Sequence, residues 1–180
     1  MPVSPVWRPE HALAQFTTDL KAASWLTERG SLTQRLREHW GDAAVHQLDE
    51  GLATPLPHEA QRLGLPADAP AWIRCVLLVC GGQLRVYART VIPDWSPHNP
   101  WTQVQHLGQQ PLGELLFRLP DLQRSAFEWT AEQLWPHTDH WPSPDAPAPL
   151  GRRCVFVRES APLLLTEVFL GLNNTTDTAT

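Results

Sequence analysis

Alternating apolar and polar residues predict an antiparallel sheet built around two β-hairpins. Residues 71–80 and 83–92 are rich in apolar and β-branched side chains, and Gly81-Gly82 between them suits a two-residue turn. The other stretches with strand-like composition are 43–53, 121–131, and a closing pair, 151–158 and 162–170, around a turn near Glu159-Ser160.

Helical periodicity appears mainly in the first quarter of the chain. Residues 9–28 predict one helix, with apolar residues at Ala12, Phe16, Leu20 and Ala23. A second helix begins after Ser31, where S-x-x-Q forms a capping box, and its apolar face ends before the stop signal Gly41. Residues 111–117 predict one or two turns, and 55–70 a loop with a single helical turn. The pattern predicts an α+β fold, a single domain in which helices cover one side of an antiparallel sheet of about six strands.

Length and composition favour one domain, 1–180, with its core at about 20–171. We expect the Pro-rich stretch 135–149 to be a surface insertion and 172–180 a flexible tail. Formal charge is −5, with 14 basic and 19 acidic residues, so the chain has no generally basic surface for binding nucleic acid.

The start of the chain lacks a signal-peptide pattern, and no window is long and apolar enough for a membrane span. We therefore expect a cytoplasmic protein without stable membrane insertion, in which the three cysteines are reduced and buried. His137, Asp139 and His140 are close in sequence, but they lie in the Pro-rich loop without further clear ligands. We expect no metal site.

Two arginines fall where the first hairpin should be apolar. With a two-residue turn at 81–82, facing residues have numbers that sum to 163, which places Arg74 opposite Arg89. Like charges at facing positions repel each other. An anion could lie between the two guanidinium groups, an internal Asp or Glu could neutralise Arg74, or both side chains could point into water.

The second hairpin carries a carboxylate in an apolar row. Leu163, Leu165, Glu167 and Phe169 alternate onto one face, and a turn at Glu159-Ser160 places Arg152 opposite Glu167. Glu167 is then either half of a structural ion pair, or a group that accepts a hydroxyl hydrogen bond or takes part in proton transfer.

Four segments in this order resemble the chorismate pyruvate-lyases, the family that makes 4-hydroxybenzoate for ubiquinone synthesis. They are WLTERGSLTQRLRE (25–38), WIRCVLLVCGGQLRVYARTVIP (72–93), LGQQPLGELLF (107–117) and LGRRCVFVRESAPLLLTEVFL (150–170). The two arginines 15 positions apart and the LLLTE-x-FL strand are the specific parts.

The resemblance implies a buried ligand site and a role for each matching residue. Arg74 would hold the ring carboxylate and Glu167 the 4-hydroxyl group, and these two would be the catalytic pair. Leu112 would contact the ligand through its backbone and Leu32 from a flap, while Arg89 would suit the enolpyruvyl carboxylate. The flaps would involve residues 25–40 and 105–117.

The implied activity is a carbon–oxygen lyase reaction, the first committed step of ubiquinone synthesis, that converts chorismate to 4-hydroxybenzoate and pyruvate. It needs no cofactor or metal, and we expect a monomer. The C4 hydrogen would pass directly to the enolpyruvyl methylene, or Glu167 would act as a general base on C4. The alternative function is a non-catalytic module that binds an aromatic carboxylate, as in regulators of the same fold, although these usually carry a helix-turn-helix domain for which this chain has no room.

Overall fold

The structure is a computed structural model that describes residues 5–132 and 149–170. Eight strands of these ranges form one antiparallel sheet: β1 (Arg8–Pro9), β2 (Ala43–Ala53), β3 (Ala71–Cys80), β4 (Gln83–Pro93), β5 (Gln123–Arg124), β6 (Glu128–Thr130), β7 (Leu150–Arg158) and β8 (Ala161–Phe169). Their order across the sheet is β1-β6-β7-β8-β4-β3-β2, and β5 pairs with β7 beside β6. The predicted α+β class is confirmed, and the count exceeds six chiefly because β1 and β5 have two residues each.

Four α-helices accompany the described part of the sheet: α1 (Leu20–Leu26), α2 (Leu32–Trp40), α3 (Pro57–Leu63) and α4 (Leu112–Leu116). Two 3-10 helices, Glu10–Gln15 and Thr102–His106, complete the helical structure there. No helix within the described ranges is long and apolar enough to cross a membrane.

Capping explains where the helices begin and end. The predicted α2 is confirmed: the Ser31 hydroxyl accepts a hydrogen bond from Gln34 N at 3.2 Å, and Gly41 ends the helix at φ 85°. The single helix predicted over 9–28 is wrong, because Asp19 is extended and caps a separate α1 by accepting from Lys21 N at 2.8 Å.

The region predicted as a loop with one turn contains the seven-residue α3. Pro57 occupies its first turn, where the missing N–H is not needed, and the Glu59 carboxylate accepts from Leu56 N at 2.8 Å. Gly64 ends the helix in the left-handed conformation, with φ 67°. These end signals outweigh the weak apolar periodicity of the segment.

The two long hairpins form where the sequence predicts them. Positive φ angles at both turn residues, 59° and 73° at Gly81-Gly82 and 49° and 66° at Glu159-Ser160, match the turns that suit twisted hairpins. The second hairpin has the predicted register, with Arg152 opposite Glu167. The strand predicted over 121–131 is split into β5 and β6. Between these two strands, the Ser125 hydroxyl accepts a hydrogen bond from Val155 N at 2.9 Å.

The predicted register of the first hairpin is wrong beyond its turn. A β-bulge leaves Arg85 as an extra residue of β4, since Leu78 pairs with Val86 and Val79 pairs with Leu84. The carbonyl group of the bulge residue is hydrogen-bonded, because Arg85 O accepts a hydrogen bond from Leu170 N at 2.7 Å. Arg74 therefore pairs with Thr90 and not with Arg89, and the two arginines lie on opposite faces of the sheet.

The sheet separates two hydrophobic cores. Side chains of α1, α2 and α4 pack with one face, where Leu26, Leu36 and Leu163 are fully buried. Residues of α3 and the segment around Trp7 pack against the other face. The predicted insertion (apart from Pro149), the three residues considered for metal binding and the predicted tail lie outside the described residues.

Candidate active site

A cavity lies between the first of these cores and the helices that cover it. Its floor is formed by the inward faces of β3, β4, β7 and β8, and its cover by the first turns of α2 and α4. Apolar side chains form much of the floor: Val76, Leu78, Ala88, Phe156 and Leu165. Such a concave, mainly apolar space with a few polar groups is typical of a small-molecule site.

Arg74 brings a buried positive charge to this cavity, with 1% of its surface exposed. Its Nη2 donates to two loop carbonyls, Gly108 O at 2.8 Å and Gln110 O at 3.1 Å. Its Nε has no hydrogen-bond partner, and Glu50 Oε1 lies 3.9 Å away, beyond hydrogen-bonding distance. Burial lowers the pKa of Arg74, although Glu50 opposes the shift. The cation thus lacks a hydrogen-bonded carboxylate.

Glu167 lies in the same cavity as half of an ion pair. Arg152 Nε donates to Glu167 Oε2 at 2.6 Å, and Arg152 Nη1 donates to Leu26 O and Glu28 O, both at 2.8 Å. The structural pairing considered from the sequence is therefore present. Glu167 still lines the cavity, so the pair provides a fixed carboxylate there without adding net charge.

Leu32 and Leu112 lie in the cover of the cavity, at the start of α2 and α4. The two helices approach closely, because a Cβ atom on Gly113 would lie 3.5 Å from Ser31 Oγ. An ion pair between Arg37 and Glu114 joins them farther along. The cover is thus a connected unit made from two segments far apart in sequence.

Arg89 is separated from the other predicted site residues. Its Nε and Nη2 donate to the two carboxylate oxygens of Glu59 at 2.8 and 3.2 Å, and its Nη1 donates to Cys75 Sγ at 3.3 Å. Burial lowers the pKa of Arg89, but the hydrogen bond and charge of Glu59 outweigh it and hold the pKa above its ordinary value. The structure brings Arg74, Glu167, Leu32 and Leu112 together, while Arg89 lies on the opposite face.

The family model described as chorismate lyase matches residues 1–177. The chain belongs to the chorismate lyase family.

Relatives of this chorismate lyase family member span nearly the same length. This chain is 41% identical over 168 residues to a probable chorismate pyruvate-lyase of Hydrogenovibrio crunogenus, and the match covers 92% of this chain and 90% of the relative. It is 39% identical over 168 residues to one of Thiobacillus denitrificans, covering 91% and 88%. The effector domain of PhnF from Mycobacterium smegmatis has a similar fold, with a TM-score of 0.52 at 14% identity, over 79% of this chain and 89% of that domain.

The cavity lining contains two further side chains whose chemistry bears on the site, Cys154 and Arg124. Cys154 lines the floor, but burial raises the pKa of its thiol to about 12, so it stays neutral and unreactive. Arg124, on β5, also lines the cavity and was missed in the sequence. A two-residue strand has no periodicity that could show which way its side chains point. Among the described residues, no three His, Cys, Asp or Glu side chains are grouped to hold a metal.

Proposed function

We propose that this cavity is the active site in which the protein carries out the reaction of its family, the conversion of chorismate to 4-hydroxybenzoate and pyruvate. The observation that carries the proposal is Arg74, a buried cation in the cavity lining with no hydrogen-bonded carboxylate. An uncompensated buried charge is costly, and a carboxylate ligand offsets that cost through charge-assisted hydrogen bonds. Chorismate supplies such a carboxylate on its ring.

Four residues have roles in this proposal. Arg74 binds the ring carboxylate and Glu167 accepts a hydrogen bond from the 4-hydroxyl group. Leu112 contacts the ligand through its backbone, and Leu32 closes the cavity from α2. All four line the same space, which supports the assignment. A ligand held at both ends beneath two helices is oriented and shielded from water.

The reaction needs no water and no redox partner. The C3–O ether bond breaks, hydrogen leaves C4, and the enolpyruvyl methylene gains a hydrogen to become the methyl group of pyruvate, so that all atoms of chorismate are found in the two products. We favour direct transfer of the C4 hydrogen to the methylene carbon. Glu167 Oε2 already accepts a hydrogen bond from Arg152 Nε at 2.6 Å, so this oxygen is not free to take a hydrogen from C4.

The proposal is tested by adding chorismate to the purified protein and measuring 4-hydroxybenzoate by absorbance and pyruvate enzymatically. We expect both products in equal amounts from the wild-type protein and a loss of at least about 100-fold in kcat/KM for Arg74→Ala with its fold intact. The matched control is Arg118→Ala, since this side chain is 77% exposed and outside the cavity lining. Binding of 4-hydroxybenzoate without any turnover of chorismate would contradict the enzymatic role and indicate a binding module.

An isotope experiment tests the route of the hydrogen. With chorismate deuterated at C4, direct transfer places deuterium in the methyl group of pyruvate, as mass spectrometry would show. Absence of the label from pyruvate would instead support removal of the hydrogen by Glu167.

We further propose that the protein acts as a cytoplasmic monomer whose partners are its substrate and products, with no nucleic acid. All three cysteines are free and buried, which suits a reducing compartment. The edge strand β2 is interrupted by a bulge between Gln47 and Asp49, and a bulged, acidic edge disfavours pairing with a second sheet.

A further inference from the structure

Chorismate carries two carboxylates. Because Arg89 lies on the face of the sheet opposite the cavity, it is not available to bind the second of them. Among the described residues that line the cavity, the Arg and Glu side chains are Arg74, Arg152, Glu167 and Arg124. Glu167 neutralises Arg152, and the ring carboxylate is proposed to neutralise Arg74. The remaining cation of the lining is Arg124.

The surroundings of Arg124 leave its charge available. Its Nη1 donates to Arg29 O at 2.9 Å, and its guanidinium carbon lies 4.9 Å from the centre of the Phe127 ring. Neither contact neutralises the cation, and no carboxylate of the described residues pairs with it. The adjacent arginine, Arg29, is by contrast paired with Glu10. Arg124 pairs across β5 and β7 with Phe156, itself part of the cavity floor, and this shared face directs Arg124 towards the ligand space.

The charges at the cavity leave a place for a second ligand carboxylate at Arg124. Three arginines and one glutamate line the cavity, and Glu50, outside the lining, lies 3.9 Å from Arg74 Nε and offsets part of its charge. Arg124 has no such carboxylate beside it among the described residues, so a carboxylate of the ligand would be its counter-ion.

We propose that Arg124 binds the enolpyruvyl carboxylate of chorismate while Arg74 binds the ring carboxylate. This inference rests on the proposed function of the cavity. Arg124 is only partly buried, whereas Arg74 is fully buried, so the two carboxylates have different access to solvent. Once the C3–O bond breaks, pyruvate is held at the more open cation and leaves first, and 4-hydroxybenzoate stays on Arg74 beneath the cover.

The test compares substrate and product binding in Arg124→Gln, which removes the charge and keeps a polar side chain. We expect kcat/KM for chorismate to fall roughly 10- to 100-fold, the loss typical of one hydrogen bond to a charged group. The dissociation constant of 4-hydroxybenzoate, which lacks the enolpyruvyl carboxylate, should change less than about twofold. Arg118→Gln is the matched control, because it removes the same charge from an exposed side chain outside the cavity lining.

Each other outcome has a separate meaning. A wild-type kcat/KM in Arg124→Gln would overturn the assignment of Arg124 while leaving the proposed function intact. An equal loss of 4-hydroxybenzoate affinity would also overturn it, because Arg124 would then act only by holding the backbone near Arg29. Failure of the wild-type protein to convert chorismate would overturn the proposed function itself.

Discussion

The buried arginines of this sheet differ in whether a carboxylate of the protein is hydrogen-bonded to the guanidinium group. Arg89 is bound through two hydrogen bonds by Glu59, which has no exposed surface, and Arg152 is bound by Glu167. Arg74 donates hydrogen bonds only to carbonyl oxygens, and the Glu50 carboxylate lies 3.9 Å away, beyond hydrogen-bonding distance. The first kind of arginine stabilises the fold, and the second is available to a ligand.

Arg89→Ala should therefore reduce the stability of the fold, whereas Arg74→Ala should reduce the binding of the ligand. Arg89→Ala leaves the Glu59 carboxylate buried without its cation, so we expect the free energy of unfolding to fall by about 3–5 kcal/mol in urea titrations. Its folded fraction should bind 4-hydroxybenzoate with unchanged affinity, while Arg74→Ala should lose that affinity. Replacing Arg89 and Glu59 together by methionine should restore most of the stability. Weakened 4-hydroxybenzoate binding in the folded fraction of Arg89→Ala would contradict this division.

His58 predicts how stability depends on pH. It is buried on the face opposite the cavity, neither ring nitrogen has a hydrogen-bond partner, and burial lowers its pKa to about 4 despite the nearby Glu59. The unfolded chain takes up this proton below about pH 6.5, whereas the folded chain resists it until about pH 4. Stability should thus fall by roughly 2 kcal/mol between pH 7.5 and pH 5. His58→Gln should flatten this slope in urea titrations at the two pH values, and an unchanged slope would exclude His58 as its cause.

The cover of the cavity is held by contacts between short helices. Trp25 of α1 stacks on Trp40 of α2 with ring centres 4.7 Å apart, and Arg85 of the bulge lies 4.1 Å from the Trp40 ring. Arg152 fixes the end of α1 through Leu26 O. Helices of seven and nine residues depend on such packing and on their caps, because isolated helices of this length are unstable.

Removal of the Ser31 cap should loosen this cover. Ser31→Ala deletes the acceptor for Gln34 N, and we expect a loss of about 1 kcal/mol in stability together with faster release of 4-hydroxybenzoate in stopped-flow measurements. Ser31→Asp keeps an acceptor at the cap and is the matched control. Equal effects of the two substitutions would show that the hydrogen bond from Gln34 N to residue 31 contributes neither to stability nor to retention of 4-hydroxybenzoate.

Elements with a strong local signal were the ones that the sequence could predict. The hairpins, β2 and α2 follow from alternation, turn glycines and a capping serine, and the pairing of Arg152 with Glu167 follows from the register of a regular hairpin. The bulge at Arg85 has no such local signal, because the groups that contact Arg85 are distant in sequence. These groups are Leu170 N, which donates to Arg85 O, and the Trp40 ring, which lies against the Arg85 guanidinium group. Arg124 was missed for a similar reason, because only tertiary structure directs its side chain into the cavity.

At the scale of the whole molecule, the sheet separates the side that carries the cavity from the side that carries the second hydrophobic core. The cavity, its cover, Arg74 and Arg124 lie on one side, while the ion pair of Arg89 with Glu59 and the buried His58 lie on the other. All five residues proposed to contact the ligand come from one chain and one cavity. Nothing in this arrangement requires a second copy.

We therefore expect the protein to be active as a monomer. Light scattering at micromolar concentration should give a mass near 20.2 kDa, and specific activity should not change on dilution. A mass near twice this value, with activity lost on dilution, would contradict the monomer.

The bulge at Arg85 also determines how the hairpin would respond to a change in length. Deleting this one residue would leave Val86 opposite Leu78 and Arg89 opposite Cys75, because the residues beyond the bulge keep their partners. Closing the bulge without a deletion would instead shift the rest of β4 by one position, turn Arg89 towards the cavity and leave Glu59 buried without its cation. A one-residue deletion at the bulge therefore preserves the charge on each side of the sheet, whereas a one-residue slip of the register exchanges it.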